Sequence, residues 1–215
     1  MKSYSIAFIG TDGSGKSTVI KNIIPKLKLK YSTNVFYEHM RPNMIPSIAN
    51  LFGKKTIKNE IVTDPHSKKP SGLVGSLLRW CYYLIDYSFG YFLKVYLTNL
   101  TKPCIWIFDR YYYDYLIDKK RTRVNLPNWL IRFGQLIIPE PDLIVSLGTN
   151  PSVIYNRKPE TSLNEVSRQI YKLKSFTNTH KNAVWLDTGQ SIETTINQAM
   201  FEIEKLINHN FKSIN

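Results

Sequence analysis

The chain has 215 residues, 29 Lys and Arg against 16 Asp and Glu, a formal net charge of +13 at pH 7, and 43% hydrophobic residues. That length suits one well-buried domain, and that composition excludes a disordered, collagen-like or disulfide-built protein. The charge points to anionic partners such as nucleotide phosphates or an anionic acceptor, with a solvated basic surface as an equal account; no zinc spacing or nucleic-acid motif accompanies it, so nucleic acid is not an expected partner.

Tyr4 to Ile9 is a short apolar run rich in β-formers and reads as a buried strand. Met1-Lys2 leads straight into it without a leader, so a cytoplasmic location is expected. Gly10 to Ser17 then follows the pattern G-x-x-x-x-G-K-[ST]. A triphosphate is a dense anion that successive backbone N–H groups can wrap when no side chain intervenes, which Gly10, Gly13 and Gly15 permit. The helix that follows aims its N-terminal dipole at the phosphates. Lys16 supplies a point charge for the β- and γ-phosphates, and the Ser17 hydroxyl is small enough to ligate Mg²⁺. Asp12, Ser14 and Thr18 complete the expected nucleotide-binding set, with ATP and Mg²⁺ as the ligands.

The first helix is expected from Lys16 towards Lys30, with an apolar face of Val19, Ile20, Ile23, Ile24 and Leu27 and a kink or early stop at Pro25. Asn34 to Met40 is the next strand, and its end places Glu38, His39 and Arg41 to touch a second substrate or to lie in a surface loop. Residues 42–72 read as an irregular, mobile insertion in which Asp64-Pro65-His66 is either a ligand contact or solvated.

Leu73 to Leu100 reads as one or two helices, with Leu77, Leu78, Cys81, Leu84 and Ile85 as the core stripe. Arg79, Asp86 and Lys94 interrupt it, so no transmembrane segment is expected, although a peripheral membrane contact stays open. Arg79 and Asp86 are two turns apart on one face, paired in the core or lining an anion site. Cys81 and Cys104 both read as reduced core residues.

Cys104 to Phe108 is a buried strand that delivers Asp109-Arg110-Tyr111 to its C-terminal end. A carboxylate there can hold Mg²⁺ or take a proton from an acceptor hydroxyl, and the neighbouring arginine can clamp phosphate oxygens. The run Lys119 to Arg123 is a solvated loop or an anion-binding edge. Asn128 to Ile137 is helical, Leu143 to Leu147 a strand, and a helix begins after Pro151 and breaks at Pro159. Residues 155–170 form an arginine-bearing lid in which Arg157 neutralises charge during transfer. Ala183 to Leu186 is the last strand, Asp187 to Ser191 is the loop where an adenine can pack, with Thr188 in the nucleotide set, and Ile192 to Ile207 is the closing helix. Strands alternating with helices give an α/β fold, a parallel sheet with helices on both faces, in one domain over residues 1–215.

Together these residues resemble thymidylate kinase and its relatives, the P-loop nucleoside and nucleotide kinases, over most of the chain. Gly-Thr-Asp-Gly-Ser-Gly-Lys-Ser-Thr resembles that family's phosphate loop, Leu-Leu-Arg79-Trp its acceptor-phosphate helix, and Phe-Asp109-Arg110-Tyr111 its Asp-Arg-Tyr motif. Pro141-Asp142-Leu-Ile-Val-Ser-Leu with Asn150-Pro151 is similar to the strand that leads to the lid. The resemblance implies a five-stranded sheet, catalytic roles for Lys16, Asp109, Arg110 and Arg157, and Mg²⁺ ligation by Ser17 and Asp109. It also implies acceptor contacts from Asp12 and Arg79, thymidylate as the first acceptor, and a homodimer built on long helices; Arg110, Tyr111 and, from their place at a strand end, Glu38 and Arg41 complete the expected acceptor set. The chain departs from the family where Tyr112-Tyr-Asp114-Tyr-Leu-Ile-Asp118 replaces its Ser-x-x-Ala-Tyr-Gln segment and Glu38-His-Met-Arg-Pro its Glu-Pro-Gly. Those departures are similar to a divergent bacterial branch found with surface-polysaccharide genes, which keeps a sugar-type acceptor in play beside thymidylate. An ATP-binding switch without an acceptor, and a nucleic-acid end kinase resting only on the charge, are the remaining readings.

Overall fold

Three strands, β1 (Tyr4–Gly10), β3 (Cys104–Asp109) and β4 (Leu143–Gly148), are buried at every residue. Strands apolar on both faces belong at the centre of a parallel sheet covered by helices. A computed structural model, which describes residues 2–40, 72–122 and 124–212, shows that arrangement. With β2 (Asn34–His39) and β5 (Ala183–Asp187), the strands stand in the order β2-β3-β1-β4-β5, and every neighbouring pair is parallel. The register sets Phe8 opposite Asp109 and Gly10 opposite Leu147, so the ends of β1 and β3 meet at one edge of the sheet.

The two-residue period of the strands divides the interior. Ile6, Phe8, Ile105 and Ile107 face Val19, Ile23 and Leu27 of α1 (Lys16–Tyr31) and Ala199 and Ile203 of α9 (Ile192–Lys212). Ala7, Ile9, Trp106 and Phe108 face Trp80 and Tyr87 of α2 (Leu73–Gly90), Ile131 of α6 (Asn128–Gln135) and Leu173 of α8 (Leu163–Thr179). The helix α1 runs through Pro25 to Tyr31 and is not shortened there.

The apolar segment before β3 is read differently by the structure than by its periodicity. It forms α2, a π-helical stretch at Tyr91–Tyr96 and a short α3 (Leu97–Thr101). Trp80, Leu84, Tyr87 and Tyr91 pack on the core, whereas Leu77, Leu78, Ile85 and Phe89 are exposed, and so is Cys81. A helix apolar on most of its surface carries two stripes of equal period, and spacing alone does not tell which one is buried. Cys104 is buried in β3 as expected. Among the described residues no helix is long and apolar enough to cross a membrane.

Candidate active site

The phosphate loop is clamped by its neighbours. A Cβ at Gly10 would stand 2.4 Å from the Leu147 carbonyl oxygen of β4, so only glycine allows the approach. Gly13 has φ +81°, and a Cβ there would meet Lys158 Cβ at 3.1 Å, just past α7 (Pro151–Arg157). These contacts fix the loop between β4 and α7 and leave its open side facing the end of β3.

That side is a cleft of about 300 Å³, lined by Asp12, Gly13, Gly15, Lys16, Ser17 and Thr18 of the loop, by His39, Asp109 and Arg110 at the strand ends, and by Arg121 and Lys158. The Lys16 ammonium donates to the carbonyls of Gly10 and Thr11, each at 2.8 Å, and lies 3.4 Å from the Ser14 hydroxyl. Burial, with the Arg110 charge beside it, brings the Lys16 pKa down to about 7.

Asp109 carries the oxygen side of the cleft. Its Oδ2 accepts from Ser17 Oγ at 3.4 Å and from the Tyr37 hydroxyl at 3.2 Å, with His39 Nδ1 at 3.9 Å. Its Oδ1 is buried and has no hydrogen-bond partner among the described residues. Burial, then the Asp109 charge, pushes the Tyr37 phenol up to about 12, so it stays a donor. An unpaired carboxylate oxygen beside a serine hydroxyl is a donor set that suits a hard cation such as Mg²⁺. Among the described residues no group of three or more His, Cys, Asp or Glu gathers to hold a metal, and an ion completed by substrate phosphates needs none.

The cationic side is a buried network. Arg110, at φ 74°, donates to Asp114 Oδ2 at 2.6 Å, to Asp12 Oδ1 at 2.5 Å and to the Gly10 carbonyl at 3.3 Å. Against the cost of its burial, Asp114 and Asp12 hold the Arg110 pKa above its usual value. Arg121, on α5 (Lys119–Thr122), donates to the other Asp12 oxygen. Asp114 opens α4 (Asp114–Ile117) and is itself buried. Asp114→Asn is expected to cost about 3 kcal/mol of stability, because it leaves part of a buried guanidinium uncompensated; urea denaturation with an unchanged m-value would show it as a lower midpoint.

The structure thus brings Gly13, Gly15, Lys16, Ser17, Thr18, Asp12, Asp109 and Arg110 together in one cleft, with Gly10 and Ser14 beneath them. Other expected residues go elsewhere. Glu38 pairs with Lys94 of the π-helical stretch at 2.5 Å. Tyr111 is buried, its hydroxyl donating to the Pro139 carbonyl at 2.6 Å and its ring edge-on to Phe108. Arg157 donates to the Thr188 carbonyl at 2.9 Å, and its neighbour Lys158 lines the cleft in its place. The Thr188 hydroxyl is buried without a hydrogen-bond partner among the described residues. Arg79 sits half-buried on α2, its Nε likewise unpartnered. Arg41 and Asp64 to His66 lie outside the described residues. Sequence reasoning missed Lys158 and Tyr37, and it left Arg121 in a run read as a solvated loop or an anion-binding edge. The period of β2 held the signal for Tyr37, since it shares a side with His39 and leaves Glu38 on the other.

No family model matches the sequence, and no curated protein matches it. The structure does match a solved one: thymidylate kinase from Ehrlichia chaffeensis, at TM-score 0.60 and 17% identity, over 94% of this chain and 100% of that one. The chain has the fold of a thymidylate kinase. Its phosphate loop therefore sits on a thymidylate kinase fold in the position expected from the sequence, after the first strand of a five-stranded parallel sheet.

Proposed function

We propose that the chain is an ATP- and Mg²⁺-dependent phosphotransferase that moves the γ-phosphoryl group to a small-molecule acceptor, with thymidylate the first candidate. One observation carries the reading: the phosphate-loop Ser17 and the β3 Asp109 place their oxygens 3.4 Å apart beside Lys16, at the open side of the loop. Bound there, Mg²⁺ would neutralise charge on the β- and γ-phosphates. Ser17 and Asp109 would hold it, and the loop amides with Lys16 would bind the triphosphate oxygens.

The other side chains divide the remaining work. Asp12 holds Arg110 and Arg121 at the wall of the cleft, where two guanidiniums can receive the oxygens of the transferring group. Lys158 adds a third cation from the segment that acts as a lid, while Arg157 braces the loop after β5. Arg79 binds the acceptor's own phosphate; its unpartnered Nε supports that role, since a buried donor without a partner is costly unless a ligand completes it.

The reading predicts ADP formation from ATP and Mg²⁺ that thymidylate or another nucleoside monophosphate stimulates. A panel of nucleoside monophosphates, nucleosides, sugars and sugar phosphates checks it by coupled ADP detection. Stimulation by a sugar-type acceptor alone would replace thymidylate as the acceptor and keep the phosphotransferase. ATP binding without stimulation by any acceptor would overturn the reading in favour of a nucleotide-binding switch.

A further inference from the structure

The strands β2 and β3 run side by side, with Tyr37 opposite Ile107 and His39 opposite Asp109. Val35 of β2 and Ile105 and Ile107 of β3 are buried on the α1 side of the sheet. The two-residue period puts Tyr37, His39 and Asp109 on that same side, where α1 begins with Lys16 and Ser17. Three side chains therefore converge on one carboxylate oxygen. The Tyr37 hydroxyl lies 3.2 Å from Asp109 Oδ2, Ser17 Oγ 3.4 Å and His39 Nδ1 3.9 Å.

The three are not equivalent. The His39 nitrogen is beyond hydrogen-bond reach, and the Ser17 contact is long for a hydroxyl donor. Ser17 is also the hydroxyl that turns its oxygen to a bound cation. Tyr37 is left as the constant partner of Asp109. The last torsion of an aspartate side chain is broad, so a carboxylate without a donor has no fixed plane. A phenol has one O–H to give and sits on a rigid ring. A hydrogen bond from it to one oxygen sets the plane of the carboxylate, and with it the direction of both oxygens. Tyr37 is 47% exposed on an edge strand, so burial does little to hold its ring, yet its hydroxyl reaches inward to a buried carboxylate.

We propose that Tyr37 is a positioning residue for the metal site: its hydroxyl holds the Asp109 carboxylate in one orientation towards the divalent cation bound with the nucleotide. The inference rests on the reading of Asp109 as a holder of Mg²⁺ and adds the residue that orients it. Removing a hydrogen-bond partner of a metal ligand commonly weakens metal binding about 10–100-fold.

Mn²⁺, a paramagnetic ion that shares the preference of Mg²⁺ for oxygen ligands, provides the probe. Its binding to the full chain with a non-hydrolysable ATP analogue is read by electron paramagnetic resonance, without any acceptor. Tyr37→Phe keeps the ring and removes the hydroxyl, so a role in packing alone leaves Mn²⁺ binding unchanged. The expected result is Mn²⁺ binding weaker by about tenfold or more in Tyr37→Phe, with an unchanged thermal midpoint. Asp109→Asn should weaken it at least as far, because the hydroxyl acts through that carboxylate. Equal Mn²⁺ binding by Tyr37→Phe and the unaltered chain would overturn the inference and leave the phosphotransferase reading standing. A smaller loss in Asp109→Asn than in Tyr37→Phe would overturn it too, since Tyr37 would then act by itself. Mn²⁺ binding that depends on both residues, in a chain that transfers phosphoryl to no acceptor, would keep the inference and remove the phosphotransferase. No Mn²⁺ bound by the unaltered chain would overturn both.

Discussion

Lys16→Met is expected to lower ADP formation about a thousandfold at saturating ATP while the protein stays folded, since it removes a preorganised charge from the site of transfer. Stability should move the other way. The Lys16 ammonium is buried against Arg110, and its pKa falls from 10.5 to about 7. Between those values the unfolded chain binds a proton that the folded chain does not, so stability rises with pH across that window. Below about pH 7 both states hold the proton, and the full cost of the buried charge is present. The rise should be visible up to about pH 9 in urea titrations and should vanish in Lys16→Met. At higher pH the phenols of Tyr37 and Tyr112, both pushed up to about 12, stay protonated in the fold while unfolded phenols ionise, and stability falls in both proteins. A bound triphosphate restores the Lys16 charge, so ATP binding above about pH 7 should take up a proton, read as a buffer-dependent enthalpy. Wild-type turnover in Lys16→Met, or a pH slope that survives the substitution, would remove Lys16 from the proposed role.

The central strands and the phosphate loop were legible in the sequence because local chemistry alone specifies them. Continuous apolar runs in β1, β3 and β4 can only be buried on both sides, and the glycines at 10, 13 and 15 have no comparable use elsewhere. Asp109 and Arg110 were legible because a strand end next to β1 has one place to point. The rest depends on tertiary choices that spacing does not encode. Two apolar stripes on α2 were equally periodic, and the one with Trp80 and Tyr87 packed inward. Arg121 sits in a basic run of a kind that is usually solvated, and only the fold shows that its partner is Asp12, 109 positions away. Arg157 and Lys158 are adjacent, and the end of α7 at Arg157 decides which of them turns to the cleft. Tyr111 directly follows Asp109 and Arg110 but is buried with its ring edge-on to Phe108, so its ring serves the core.

Asp109→Asn should separate the site from the scaffold. The substitution keeps shape and removes the charge of a buried carboxylate whose Oδ1 has no partner among the described residues. With a hard-cation ligand turned into a weak one, turnover should fall about 10²–10⁴-fold, whether the lost function is metal holding or proton acceptance. The Mg²⁺ concentration for half-maximal ADP formation distinguishes the two: it rises if Asp109 holds the ion and stays put if Asp109 receives the acceptor proton. Stability should be unchanged or higher, because among the described residues no lysine or arginine reaches ion-pair distance of Asp109, whereas Arg110 pairs directly with Asp114. The two carboxylates lie five positions apart and both are buried, yet their asparagine variants should fail in opposite ways, one in turnover with the fold intact and the other in stability. Equal loss of stability in both would mean that Asp109 belongs to the ion network, and turnover within about threefold of wild type in Asp109→Asn would leave the phosphate cleft without its metal or base.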